Sequence, residues 1–253
     1  MLRLVTAILL IPVVTWVIFV APHPVFYGVV ALLAVLCYRE YTALVAHHGL
    51  LNFVPVGYAA GLVLLAEPSW AVLMAGLGLA FSLRNAELSD VLKSGGAFAL
   101  GVLYVFGAWR SAIDLHGVGA HWLFFAVALN WAGDSAAYYV GKNFGRRRLA
   151  PAVSPNKSVE GAAASTVASV VFGLLCFRYL DPNVAWWQVV LLSIAGNLAG
   201  QCGDLAESAL KRGAGVKDSG AMLPGHGGWL DRLDSSLFSM PMVAILMRLL
   251  PTR

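Results

Sequence analysis

The sequence predicts an all-α, polytopic integral membrane protein with about nine transmembrane helices. Three observations predict it. Hydrophobic residues make up 59% of the chain and charged residues only 12%, with a mean hydropathy of +0.76; a soluble domain carries about 25% charge. The apolar residues come in runs separated by short polar connections, with no soluble domain, long linker or internal repeat between them. Under nine spans, thirteen of the seventeen Lys and Arg residues fall on the side of the N-terminus, and only Arg110, Arg178, Arg248 and Arg253 on the other. That asymmetry is the positive-inside pattern.

The runs follow in order. Residues 4–21 are apolar after Arg3. The run is longer than the apolar core of a signal peptide and lacks a small-x-small cleavage site, so a retained span is expected. Further spans are expected over 24–37, 53–66, 69–83, 96–109, 120–140, 161–178, 185–203 and 234–250. Several are shorter than the ~20 residues a bilayer requires, and the pair around Glu67-Pro68 also reads as one re-entrant hairpin. Residues 1–110 are expected to form N-terminal transmembrane helices, and 111–253 a catalytic region of the same integral membrane unit. The charge partition puts the N-terminus and the 204–233 loop on the cytoplasmic side, in a bacterial inner membrane. The net charge of +4 gives no reason to expect a nucleic-acid partner. Cys37, Cys176 and Cys202 lie in apolar stretches without a CxxC spacing, so buried reduced thiols are expected. Arg39-Glu40 reads as a solvated pair at the membrane surface, and Arg146-Arg147-Arg148 as a topology anchor.

The ionisable residues concentrate between Gly203 and Asp234. Asp204, Ser208 and Lys211 share one helical face. Six glycines and one proline lie between Gly213 and Gly228, marking a loop where backbone approaches a partner closely. Asp231 and Asp234 follow at the start of the last apolar run. Carboxylates hold hard cations, while Lys, Arg and backbone N–H groups hold phosphate oxygens. The expected metal ligands are Asp204 and Asp231, with Asp234 and Glu207 as weaker candidates; the competing reading pairs these acids in structural salt bridges. A second constellation precedes it. Asn130, Asp134 and Tyr138 recur along the sixth span, and an acid in a membrane helix usually has a partner or a task. Residues 154–161, SPNKSVEG, set Ser154, Lys157 and Ser158 just before a span, where free helix N–H groups take an anion. Ser193, Asn197, Gln201 and Asp204 continue the polar stripe on the eighth span.

Ser208-Ala-Leu-Lys211-Arg212, then Lys217-Asp218, then Leu223-Pro-Gly-His226-Gly227-Gly228-Trp229-Leu-Asp231-Arg232-Leu-Asp234 resembles the signature of the phosphatidate cytidylyltransferases, the CDP-diacylglycerol synthases. The resemblance covers residues 130–234; the first ~110 residues match only as hydrophobic helices. Trp229 stands where an aliphatic residue or Phe is expected, and Ser158 where Thr is expected. The resemblance implies that CTP and phosphatidic acid give CDP-diacylglycerol and pyrophosphate with Mg2+. It implies catalytic roles for Asp204, Asp231, Lys211 and Lys217. Substrate contacts would fall at Asp134, Ser154, Lys157, Ser158, Glu160, Ser208, Arg212, Asp218, His226, Gly227, Gly228 and Arg232, and a homodimer is implied. Two rival functions remain from the residues themselves. An ion-coupled transporter would use Asp134 and Asp204 as ion sites, and a CTP-dependent lipid-alcohol kinase would release CDP. The DGxxAR…GxxxDxxxD pattern of CDP-alcohol phosphotransferases is absent.

Overall fold

The computed structural model describes residues 2–50, 53–84, 87–223 and 227–250. It is nearly all helix. The helices are α1 (Leu2–Phe19), α2 (His23–His47), α3 (Val54–Ala66), α4 (Ala71–Ser82), α5 (Val91–Gly101), α6 (Ala108–Val118), α7 (Ala120–Phe144), α8 (Val159–Leu180), α9 (Trp186–Gly213), α10 (Leu230–Leu233) and α11 (Ser236–Leu249). Among the described residues, four helical bodies are long and apolar enough to cross a membrane: α2, the run Leu88–Val118, α8 and α9. Several boundaries differ from expectation. The run expected over 96–109 is one helical body from Leu88 to Val118, in which α5 passes through a π-helical stretch, Val102–Gly107, into α6. α2 and α9 each continue about ten residues past their expected ends, because polar residues such as Glu40, Asp204 and Lys211 find partners and need not leave the helix.

Among the described residues the two strands form a small antiparallel pair, β1 (Arg148–Ala150) with β2 (Ser154–Ser158). It leads directly into α8, whose first turn is capped: Gly161 N donates to Ser158 Oγ at 3.1 Å. Glu160 reaches back to accept from the backbone N–H groups of Arg146 and Arg147, at 3.0 and 3.2 Å. The hairpin is thus tied to the helix it precedes.

The chain forms two compact units, Met1–Ile113 with Leu210–Leu233, and Asp114–Ala209 with Asp234–Arg253. The first unit's core is aromatic. Tyr38 and Phe106 are almost fully buried with ring centroids 5.2 Å apart, and Tyr41 donates to Ala97 O at 2.8 Å. A Cβ at Gly61 would overlap the Phe106 ring, so the glycine sets how closely α3 approaches it. The second unit packs α7 on α8 through small residues, as membrane helices do where backbones must approach closely. Ser169 donates to Leu129 O at 2.8 Å, and a Cβ at Gly133 would collide with Ser165, Asn197 and Ser169. At one end Trp122, Phe125 and Phe177 close the core, with Trp122 and Phe177 centroids 4.6 Å apart.

Candidate functional site

The polar stripe of the second unit leads to a cavity. Asn197 donates to Ser165 Oγ at 3.0 Å and accepts from Thr166 at 3.0 Å and Gln201 at 2.6 Å. Thr166 and Gln201 therefore hold each other's register across α8 and α9 in a segment where an unsatisfied amide is expensive. Gln201 also lines a cavity of about 570 Å³, within the size range of small-molecule sites. Its walls carry Asp134, Lys142, Arg148, Asn156, Lys157, Ser158 and Asp204. Two carboxylates and three basic side chains thus share one cavity in a chain that is only 12% charged. Lys157 forms an ion pair with Asp204, both about 30% exposed, and Ser208 lies one turn further along α9, 3.4 Å from Asp204 Oδ1.

Of the expected substrate contacts, Asp134, Lys157 and Ser158 line this cavity together with Asp204. Ser154 sits at the start of β2, and Glu160 is engaged with the hairpin backbone; neither lines the cavity. Gln201, expected on the polar stripe, and Asn156, inside SPNKSVEG, also line it, whereas Lys142 and Arg148 are lining residues the sequence reading missed. Arg148 reads in the sequence as a topology anchor because it ends a run of three arginines, yet it starts β1 and belongs to the lining.

The remaining candidates lie in the first unit, apart from Glu207 and Asp234, which belong to the second. Lys211, 9% exposed, donates to Asp231 Oδ1 at 2.5 Å. Asp231 Oδ2 accepts from Gly228 N at 2.7 Å, Ser219 N at 2.9 Å and Ser219 Oγ at 3.0 Å. Burial pushes the Asp231 carboxyl up, but the Lys211 ammonium and the Gly228 and Ser219 N–H groups outweigh it and hold the carboxyl below its ordinary value. Asp231 stands on α10, a single turn separate from α11, and so does not open the final helix as expected. Gly227 has φ +78°, the left-handed region where a side chain is strained, and its N-terminal neighbour His226 lies outside the described residues. Arg212, Lys217, Asp218 and Arg232 are exposed, and Arg212 donates to Val216 O at 3.3 Å. Glu207 is fully buried on α9, while Asp234 accepts from Ser235 N at 2.7 Å. Cys202 is exposed, correcting the expectation of three buried thiols; Cys37 and Cys176 are buried.

Glu40, read from sequence as a solvated surface residue, is only 4% exposed. It accepts from Ser219 Oγ at 2.8 Å, Trp229 N at 3.0 Å and Leu230 N at 2.8 Å. An acid inside an apolar run was the available signal.

The donor set of the cavity fits a magnesium ion. Magnesium keeps several waters and takes one or two carboxylates plus substrate phosphates, and the cavity offers Asp134 and Asp204 beside basic side chains. Asp231 instead has both oxygens engaged by four hydrogen bonds. Among the described residues no group of three or more His, Cys, Asp and Glu side chains forms a ready-made metal cage.

A profile of the cytidylyltransferase family matches residues 1–250. A protein named phosphatidate cytidylyltransferase from Staphylococcus saprophyticus is 40% identical over 152 residues, covering 60% of this chain and 58% of its own length. One of the same name from Bacillus subtilis is 40% identical over 157 residues, covering 61% and 58%. Another from Staphylococcus haemolyticus is 41% identical over 129 residues, covering 51% and 50%. In these alignments the chain spans less than two thirds of the length of the curated relatives it matches.

Proposed function

The chain belongs to the cytidylyltransferase family, and from that premise we propose that it is an integral membrane enzyme that converts CTP and phosphatidic acid to CDP-diacylglycerol and pyrophosphate. The observation that carries this reading is the cavity in which Lys142, Arg148 and Lys157 stand with Asp134 and Asp204. The name of the three relatives supports the same chemistry.

A phosphate oxygen of the lipid attacks the α-phosphorus of CTP. The bond from that phosphorus to the β-phosphate bridging oxygen breaks, and pyrophosphate leaves with the electron pair. No covalent enzyme intermediate is required. Both reactants are anionic, so the catalyst must screen their repulsion, align the attack and stabilise the leaving group. Lys142, Arg148 and Lys157 supply the screening. Ser158 and the first turn of α8 add a hydroxyl and the positive end of a helix. Lys157 rests against Asp204; arrival of a triphosphate offers the ammonium a stronger anionic partner and releases the carboxylate. Asp204 and Asp134 are the residues that would hold magnesium, which when bound would neutralise charge on the triphosphate oxygens. Lys211, held by Asp231, is assigned to phosphate binding as well. The reading includes nine spans, a cytoplasmic mouth and a homodimer.

Purified protein given CTP, phosphatidic acid and Mg2+ should release pyrophosphate only when all three are present. Release of CDP instead would indicate a lipid kinase, and no nucleotide turnover at all would favour a transporter.

A further inference from the structure

We propose that Glu40 of α2 is a positioning residue for the Lys211–Asp231 pair, setting the loop geometry on which the assigned role of Lys211 depends. This deepens the proposed cytidylyl transfer and rests on that reading.

Glu40 Oε1 accepts from Trp229 N, and Oε2 accepts from both Ser219 Oγ and Leu230 N. Burying a carboxylate to 4% exposure is costly unless such donors compensate it. Two of the three donors are backbone N–H groups at the start of α10, which a helix that short does not satisfy internally. Glu40 therefore caps α10 from a different helix, 190 positions away from Leu230. Ser219 carries the constraint onward: its hydroxyl lies 2.8 Å from Glu40 Oε2 and 3.0 Å from Asp231 Oδ2. Asp231 in turn receives Lys211.

Two glycines show how closely the loop is drawn in. A Cβ at Gly228 would overlap Glu40 Oε2, and one at Gly220 would come 2.7 Å from Oε1. The absence of side chains at these positions is what lets the loop wrap the carboxylate. The glycine content of the 213–228 segment marks close approach of the backbone to a partner, and at these two positions that partner is Glu40.

The test uses full-length protein in detergent or nanodiscs, as wild type, Glu40→Gln and Ser219→Ala. Glutamine keeps the shape but loses the charge and one acceptor oxygen. For Glu40→Gln we expect kcat for pyrophosphate release to fall about 10- to 100-fold, with KM for CTP within about twofold and a retained cooperative thermal transition. Hydrogen exchange at Trp229 and Leu230 should accelerate while that of α2 stays unchanged. Ser219→Ala, which removes only the bridge, should lower kcat severalfold and decides the matter if Glu40→Gln does not insert. Wild-type kcat in either inserted variant, or unchanged exchange at Trp229 and Leu230 in Glu40→Gln, overturns the proposal. If the wild type itself does not turn over, the enzymatic reading fails, and the exchange measurement still tests the positioning of the loop by Glu40.

Discussion

Lys157 and Asp204 form an ion pair in the cavity wall, and their removal should have different consequences. Lys157→Ala should raise KM for CTP about tenfold or more, as loss of a charge-assisted phosphate contact does, with little change in thermal stability because both groups are partly exposed. An unchanged CTP dependence would assign Lys157 to structure. Asp204→Asn should nearly abolish turnover while the protein inserts and purifies normally. Asp231 should behave otherwise. Its partner Lys211 is nearly buried, so Asp231→Asn strands a buried ammonium and should cost about 3 kcal/mol of stability. The pH dependence has a defined sign. The folded carboxyl is held below its ordinary value of 3.8, so its contribution is present above that pH and is lost as pH falls through the lower folded value. The gap in thermal midpoint between wild type and Asp231→Asn should be flat above about pH 5 and shrink only below pH 3.8.

At the scale of elements, the β1–β2 hairpin and the start of α8 act together. Ser158 caps α8, lines the cavity and stands directly after Lys157. Ser158→Ala should cost about 1 kcal/mol as a lost N-cap, measured by thermal unfolding, whereas Ser158→Thr should be close to neutral because the hydroxyl remains. Sequence reading reached Asp134, Lys157, Ser158 and Asp204 because each is polar within or beside an apolar helix, where membrane energetics leaves few reasons for it. It did not reach the hairpin. Pro151 and Pro155 break any strand-like alternation, and the pair is only three and five residues long. It also did not reach Glu40, whose donors lie 179 to 190 positions further on. A contact over such a span leaves no local pattern. At Asp231 the carboxylate is visible in sequence, but the four hydrogen bonds it accepts are not.

At the scale of the molecule, the charge asymmetry of the loops predicts orientation, and the nine-span proposal extends beyond the four helices that meet the length and hydropathy requirement by themselves. Ala221 is exposed in the glycine loop. In a background with the exposed Cys202 replaced, Ala221→Cys should resist a membrane-impermeant thiol reagent in intact cells and react after permeabilisation. Ready labelling in intact cells would reverse the topology. The central claim, that a lipid phosphate oxygen displaces pyrophosphate from CTP, is tested most directly by isotope. Phosphatidic acid carrying 18O in its phosphate group is incubated with the protein, CTP and Mg2+, and both products are weighed by mass spectrometry. The account predicts CDP-diacylglycerol that retains all the 18O and pyrophosphate that contains none. Label in the pyrophosphate, or a lipid recovered without an added CMP unit, would contradict it.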